Sequence, residues 1–383
     1  MASFKAIIRG AYGEGNFGDD VLMVACHGLL RQVYAADEIA YVFTSDPPVA
    51  ERRYVERLLP GINIIRFESQ AAAELVVWGG GTQFYSFSQS QAVVPFYRKV
   101  LAGLLDPEKA YNYLVKKLFG GKFHRGQRFA ALGIGVGPFV PDSPNEGYSR
   151  DLFAKMNFAA VRDDESMQLC KTWGVRNLTH RSDLCFLPEI CWPDYLPVAR
   201  VNGRGRRIGV IVRDWPHDTA GAAYEKPLIN AAEMLRKAGY SVQYILFRAN
   251  GDCGWARLLS QRGESPLAWN PEVQSITDFL HELDQFDCLL TARYHGALFG
   301  ALIGRPVICI ELEQKLRLVS ELLKVGLWRQ PFNESSCLEL VEQVFAEYSK
   351  LERALADAVQ QQRQLGQVMM SEFLAFANEP GRD

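Results

Sequence analysis

Short apolar runs recur along the chain, most closed by glycine or a polar turn and followed by a helical pattern. Residues 4–10, 39–43, 63–67, 74–78, 129–138 and 158–161 have the length and apolar content of buried strands. The pattern stops at 188–207, which holds three prolines, two glycines and four arginines and predicts a linker. It then restarts, with strands expected at 207–213, 242–247, 286–290 and 306–310. Helices are expected from Asp19, over 93–105, from Pro107 to about 119, over 226–238, over 276–283 and from 297 to about 304. Residues 336–377 are helical throughout, rich in Glu, Gln, Ala and Leu. Strand alternating with helix on both sides of a linker predicts an α/β fold of two Rossmann-like domains facing across a cleft. Residues 1–195 and 205–335 would be the two domains, and 336–383 a C-terminal helical segment.

The punctuation between these elements carries the candidate chemistry. Gly13-Glu14-Gly15-Asn16-Phe17-Gly18 has the spacing of a dinucleotide-binding turn. Asp19 and Asp20 follow at the helix start, where they suit the helix dipole and repel a pyrophosphate. A turn giving a sugar room beside Asn16 and Asp19 fits better, and a plain Asp-capped helix is the bland alternative. Gly79-Gly80-Gly81-Thr82 closes a strand and predicts close approach of backbone to ligand, or else to a neighbouring loop. In the second half Arg213, Arg248, Arg293 and His295 all follow strands. Parallel strands would gather them along one edge as an anion site, although any one arginine alone would suit a surface ion pair. The stretch Thr291-Ala292-Arg293-Tyr294-His295-Gly296 holds a cation beside a side chain that titrates near neutrality. It suggests an anionic substrate and a proton to move, against a bland reading of ion pair and helix cap.

Composition narrows the field. The chain of 383 residues is 48% hydrophobic and 22% charged with net charge −2, which excludes a generally basic nucleic-acid binder. No run approaches the roughly 20 apolar residues of a membrane span. The N-terminal residues lack a signal peptide's apolar core. Eight scattered cysteines without a C-x-x-C pair argue for reduced thiols in a cytoplasmic protein, with neither disulfide frame nor zinc site. The acidic pairs Asp19-Asp20 and Asp163-Asp164 both fit helix starts, so no metal is expected. Residues 91–128 carry eight lysines or arginines against Asp106 and Glu108. That local excess could face anionic lipid or a lipid-linked diphosphate, at the inner membrane face, or simply be a solvated surface.

Taken together, Gly15-Asn16-Phe17-Gly18-Asp19, Gly79-Gly80-Gly81, Gly133-Ile134-Gly135-Val136-Gly137-Pro138, Arg162-Asp163 with Ser166, and Arg293-Tyr294-His295 leading to Gly304-Arg305-Pro306 resemble the polysaccharide pyruvyl transferase family. The pieces occur in the family's order over about residues 4–315. Leu184 after Asp183 and Tyr294 between arginine and histidine depart from the family's usual proline and leucine. The resemblance implies a GT-B-like glycosyltransferase architecture. It also implies transfer of a pyruvyl group from phosphoenolpyruvate to two hydroxyls of a sugar of a polysaccharide or its lipid-linked precursor, giving a cyclic ketal and phosphate. Phosphoenolpyruvate would be the donor substrate, with no cofactor. Arg213, Arg293 and His295 would then form the donor site, with His295 protonating the enol carbon; Arg248 joins them on strand-end position alone. Asn16, Asp19, Gly80, Gly81 and Thr82 would face the sugar. For the base on the acceptor hydroxyl the sequence offers no more than Asp19. A sugar-nucleotide-dependent glycosyltransferase, with the same arginines on a donor diphosphate, is the alternative, and a non-catalytic sugar- or partner-binding relative is a third reading.

Overall fold

The computed structural model describes residues 3–10, 12–42, 49–65, 71–86, 125–141, 143–194 and 205–379. The helices expected at 93–105 and 107–119, most of the basic segment 91–128, and the linker from 195 to 204 lie outside them.

Two parallel sheets make up the core. The first contains β1 (Ser3–Arg9), β2 (Ile39–Val42), β3 (Asn63–Ile65), β4 (Ala72–Phe84), β5 (Arg125–Val136), β6 (Phe158–Val161) and β7 (Leu178–His180). Their order is β3-β2-β1-β4-β5-β6-β7. The second contains β8 (Arg207–Val212), β9 (Ser241–Leu246), β10 (Leu267–Ala268), β11 (Cys288–Thr291), β12 (Val307–Ile310) and β13 (Gly326–Trp328), in the order β10-β9-β8-β11-β12-β13. Every strand pair is parallel, and the β1, β8 and β11 centres are fully buried, as near-continuous apolar runs require when helices cover both faces. Both sheets reverse their winding next to the first strand of each half, between β1 and β4 and between β8 and β11. Ligands of doubly wound sheets bind outside the strand ends at such points. The α/β fold of two Rossmann-like halves is therefore the one expected.

Several local expectations are corrected. The glycine run does not end β4; the strand continues through it, with Gly79, Gly81 and Thr82 still paired to Leu132, Ile134 and Gly135 of β5. Gly80 and Gly81 have φ of 71° and 76°, so the run is a left-handed kink that only glycine tolerates cheaply. The helix expected from 226 spans Thr219–Lys237, capped by the Asp218 carboxylate, and absorbs Pro227. Residues 336–377 are two helices, Glu334–Ala346 and Tyr348–Asn378.

The halves are docked against each other. Phe17, at the start of the helix Phe17–Leu30, is fully buried among Phe247, Trp269, Phe279 and Phe299 of the second half. Its amide donates to the Phe247 carbonyl at 2.9 Å. The Tyr348–Asn378 helix returns to the first half, where Arg181 pairs with Glu372 and Arg128 donates to the Phe376 and Ala377 carbonyls. One cation of the basic segment, Arg128, is thus spent on tertiary structure. No helix of the described residues is long and apolar enough to cross a membrane.

Candidate active site

The two switch points face one cleft of about 790 Å³. Asn16, Asp19, Gly80, Gly81 and Thr82 line it from the first half, and Arg213, Arg248, Arg293 and His295 from the second. All nine residues singled out in the sequence therefore meet in one place. Arg162, Asp214, Trp215, Glu225 and Lys315 also line it.

The β11 junction explains how Arg293 and His295 are presented. The Thr291 hydroxyl accepts from the Arg293 amide at 3.0 Å and donates to the Arg293 carbonyl at 2.9 Å, bending the chain into the helix Tyr294–Leu302. A Cβ on Gly296 would lie 2.2 Å from that hydroxyl, so glycine is required there. Arg293 is the N-cap residue and His295 stands in the first turn.

Each cleft arginine already has a carboxylate. Arg293 forms a buried pair with Asp252 and donates through Nε to the Val212 carbonyl at 3.3 Å. Among the described residues its Nη1 has no hydrogen-bond partner. Arg213 pairs with Glu313 and lies over the Trp215 ring at 4.6 Å. Arg248 pairs with Glu14 across the cleft. Lys315 shares Glu313 with Arg213, Nζ standing 3.0 Å from Oε1. Burial pushes the Lys315 ammonium down to about 8, with Glu313 opposing and Arg213 adding to the fall.

On the facing wall, Arg162 is buried and donates to Asp183 Oδ2 at 2.6 Å and to the Thr82 hydroxyl at 2.7 Å. Its guanidinium carbon lies over the Tyr294 ring, 4.0 Å from the centroid. Burial works against the Arg162 charge, but Tyr294, Asp183 and Asp163 hold its pKa above the ordinary value. Burial alone would raise the Asp183 carboxyl; His295 and Arg162 instead hold it well below the usual carboxylate range. His295 Nε2 stands 3.7 Å from Asp183 Oδ2. On its other side, Nδ1 lies against Gly18, where a Cβ would come within 2.3 Å.

Asp183, Cys185 and His295 bring ligand atoms within 4.8 Å of one another, the one such group among the described residues. The set does not suit a cation. Arg162 already occupies an Asp183 oxygen, and burial pushes the Cys185 thiol well up, away from the thiolate that binds metal.

Sequence reasoning missed Lys315, Trp215 and Glu225 as cleft residues and left Arg162 and Asp183 as motif members without a role. The signal for Lys315 was its place one turn beyond β12, the same strand-end logic that flagged Arg213 and Arg293.

Fold and cleft together define a two-domain α/β protein with a ligand-sized cleft, lined by cations and carboxylates alike, at the switch points of both sheets. The chain belongs to the polysaccharide pyruvyl transferase family, whose model matches residues 16–313. No curated protein matches it in sequence. Among solved structures it is similar in fold to S. aureus MnaA in complex with UDP, with TM-score 0.58 and 9% identity over 100% of this chain and 99% of that one. A Listeria monocytogenes protein described as a UDP-N-acetylglucosamine 2-epimerase gives TM-score 0.57 and 10% identity, covering 99% and 97%. Anabaena HepE in complex with UDP and glucose gives 0.53 and 10%, covering 98% and 100%. These likenesses establish two facing Rossmann-like domains of the GT-B type.

Proposed function

We propose that the protein moves a pyruvyl group from phosphoenolpyruvate to two hydroxyls of a sugar of a polysaccharide or its lipid-linked precursor, forming a cyclic ketal and releasing phosphate. The observation that carries this reading is the placement of His295, backed by an ionised carboxylate, in a cleft ringed by Arg162, Arg213, Arg293 and Lys315. Phosphoenolpyruvate presents a phosphate and a carboxylate, and guanidinium forks and an ammonium match both. His295 gives a proton to the methylene carbon, and the central carbon becomes electrophilic. One sugar hydroxyl adds there and loses its proton; the second adds as the carbon–phosphate oxygen bond breaks. One hydroxyl proton makes good the proton spent on the new methyl group, and the other leaves with phosphate. The reaction needs neither metal nor nucleotide. Asn16, Asp19, Gly80, Gly81 and Thr82, across the cleft, face the sugar, and the positive segment 91–128 suits a lipid diphosphate at the inner membrane face.

Two measurements test this. Phosphate release from phosphoenolpyruvate is followed with a panel of lipid-linked sugars, and no release with any of them overturns the reading. Ligand-induced melting shifts distinguish the sugar-nucleotide alternative. Phosphoenolpyruvate at 100 times its Kd stabilises the protein by about 2.7 kcal/mol, while UDP and GDP leave melting unchanged.

Gly18 supplies a further prediction. Its helical backbone would accept alanine, but the added methyl group would displace the His295 ring. Gly18→Ala is expected to lower kcat about 10²-fold, as an ångström's misplacement of a proton donor does. Parallel kcat and melting measurements check it; a variant that keeps its kcat removes His295 placement from the argument.

A further inference from the structure

We infer that Asp183 is the positioning residue for His295, a carboxylate delivered by one half of the molecule to set the proton donor carried by the other. The inference rests on the reading of His295 as the acid.

Asp183 is about 1% exposed and follows β7 at the end of the first sheet. Its Oδ1 accepts the Cys185 amide at 2.9 Å, which caps the turn Leu184–Phe186 and fixes the carboxylate. Its Oδ2 is shared between Arg162 at 2.6 Å and His295 Nε2 at 3.7 Å. That Nε2 is buried and has no hydrogen-bond partner among the described residues. Arg162 is itself held by Thr82 and by the Tyr294 ring, so the residue between Arg293 and His295 acquires a use. It clamps the guanidinium that aims the carboxylate.

Among the described residues, both halves place charged and titratable groups around the imidazole. From the first half come Asp183, Arg162, the Cys185 thiol and Asp19, next to Gly18. From its own element come Arg293, neutralised by Asp252, and Tyr294. Burial pushes Cys185 and Tyr294 up, so both stay neutral at ordinary pH. Asp183 is the carboxylate aimed at Nε2, and Arg162 is the cation that competes for it. A carboxylate so placed orients the ring and fixes its tautomer, as the acid role requires. A merely structural Asp183 would neutralise Arg162 and cap its turn with no effect on His295.

Histidine-labelled protein, with the His295 signal assigned through His295→Gln, separates the two without any substrate. In the wild type the neutral ring is expected to carry its proton on Nε2, facing Asp183. In Asp183→Asn that preference is expected to weaken, whereas in Arg162→Gln, which keeps the carboxylate and removes its competitor, it is expected to persist. Loss of packing alone would affect both variants alike. An unchanged tautomer in Asp183→Asn overturns the inference, and so does an Nδ1–H ring in the wild type, which decides the matter if neither variant folds. With substrate, Asp183→Asn should lose about 10- to 100-fold in kcat with KM for phosphoenolpyruvate little changed. If the wild type releases no phosphate from phosphoenolpyruvate, the functional reading fails while the ring tautomer still reports on Asp183.

Discussion

Replacing His295 by alanine is expected to lower kcat for phosphate release by about 10²–10⁴, which is roughly 3–5 kcal/mol of transition-state stabilisation. KM for phosphoenolpyruvate should change far less, because the proposed site assigns the anion to arginines and Lys315 rather than to the imidazole. The fold should survive for three reasons. Alanine is the best helix former, and position 295 is in a first turn. Truncation removes the ring that faces Gly18 and creates no clash. Asp183 keeps Arg162 and the Cys185 amide, so no buried charge is stranded. Steady-state phosphate release with a melting curve on the same preparation decides it. A variant that releases phosphate at the wild-type rate would sink the proton-donor role, whatever the fate of the arginines.

The framework of this site was legible because strand ends are local features. Arg213, Arg293 and His295 each follow an apolar run, and the parallel topology then gathers them without further information. What was not legible is what each charge does once gathered. The partner of Arg293 is 41 residues away, that of Arg213 is 100 and that of Arg248 is 234. No periodicity links such pairs, so the arginines look free in sequence and are paired in the structure. Tyr294 is opaque for the same reason: its partner Arg162 belongs to the other sheet. The outer strands β7, β10 and β13 are two or three residues each and, unlike the equally short β3 within the apolar-rich stretch 63–67, have no longer run for a pattern to register. The triple glycine misleads differently. Glycine usually stops a strand, whereas ladder bonds to β5 on one side carry β4 through the kink.

Asp20 shows how far a local rule can miss, and it yields the largest expected effect on stability. At the start of a helix an aspartate reads as a solvated complement to the dipole. Here it is fully buried at the seam between the halves, with Oδ2 accepting from the Trp269 indole N–H at 2.7 Å. Burial pushes its carboxyl from 3.8 up to about 7, against the pull of the Trp269 hydrogen bond. Between those values the folded chain holds a proton that the unfolded chain has released. The contribution of this group to stability is therefore fully present below about pH 4, falls as pH rises, and is lost above about pH 7. The span corresponds to about 4 kcal/mol. Asp20→Asn keeps an acceptor for Trp269 and carries no charge at any pH. It should match the wild type near pH 4 and be the more stable protein by a few kcal/mol at pH 8, with the gain appearing through the interval between. Urea unfolding across that range measures it. Parallel stability curves for the two proteins would mean that Asp20 stays ionised in the folded state, and the seam would then have to accommodate a buried charge with Trp269 as its stated donor.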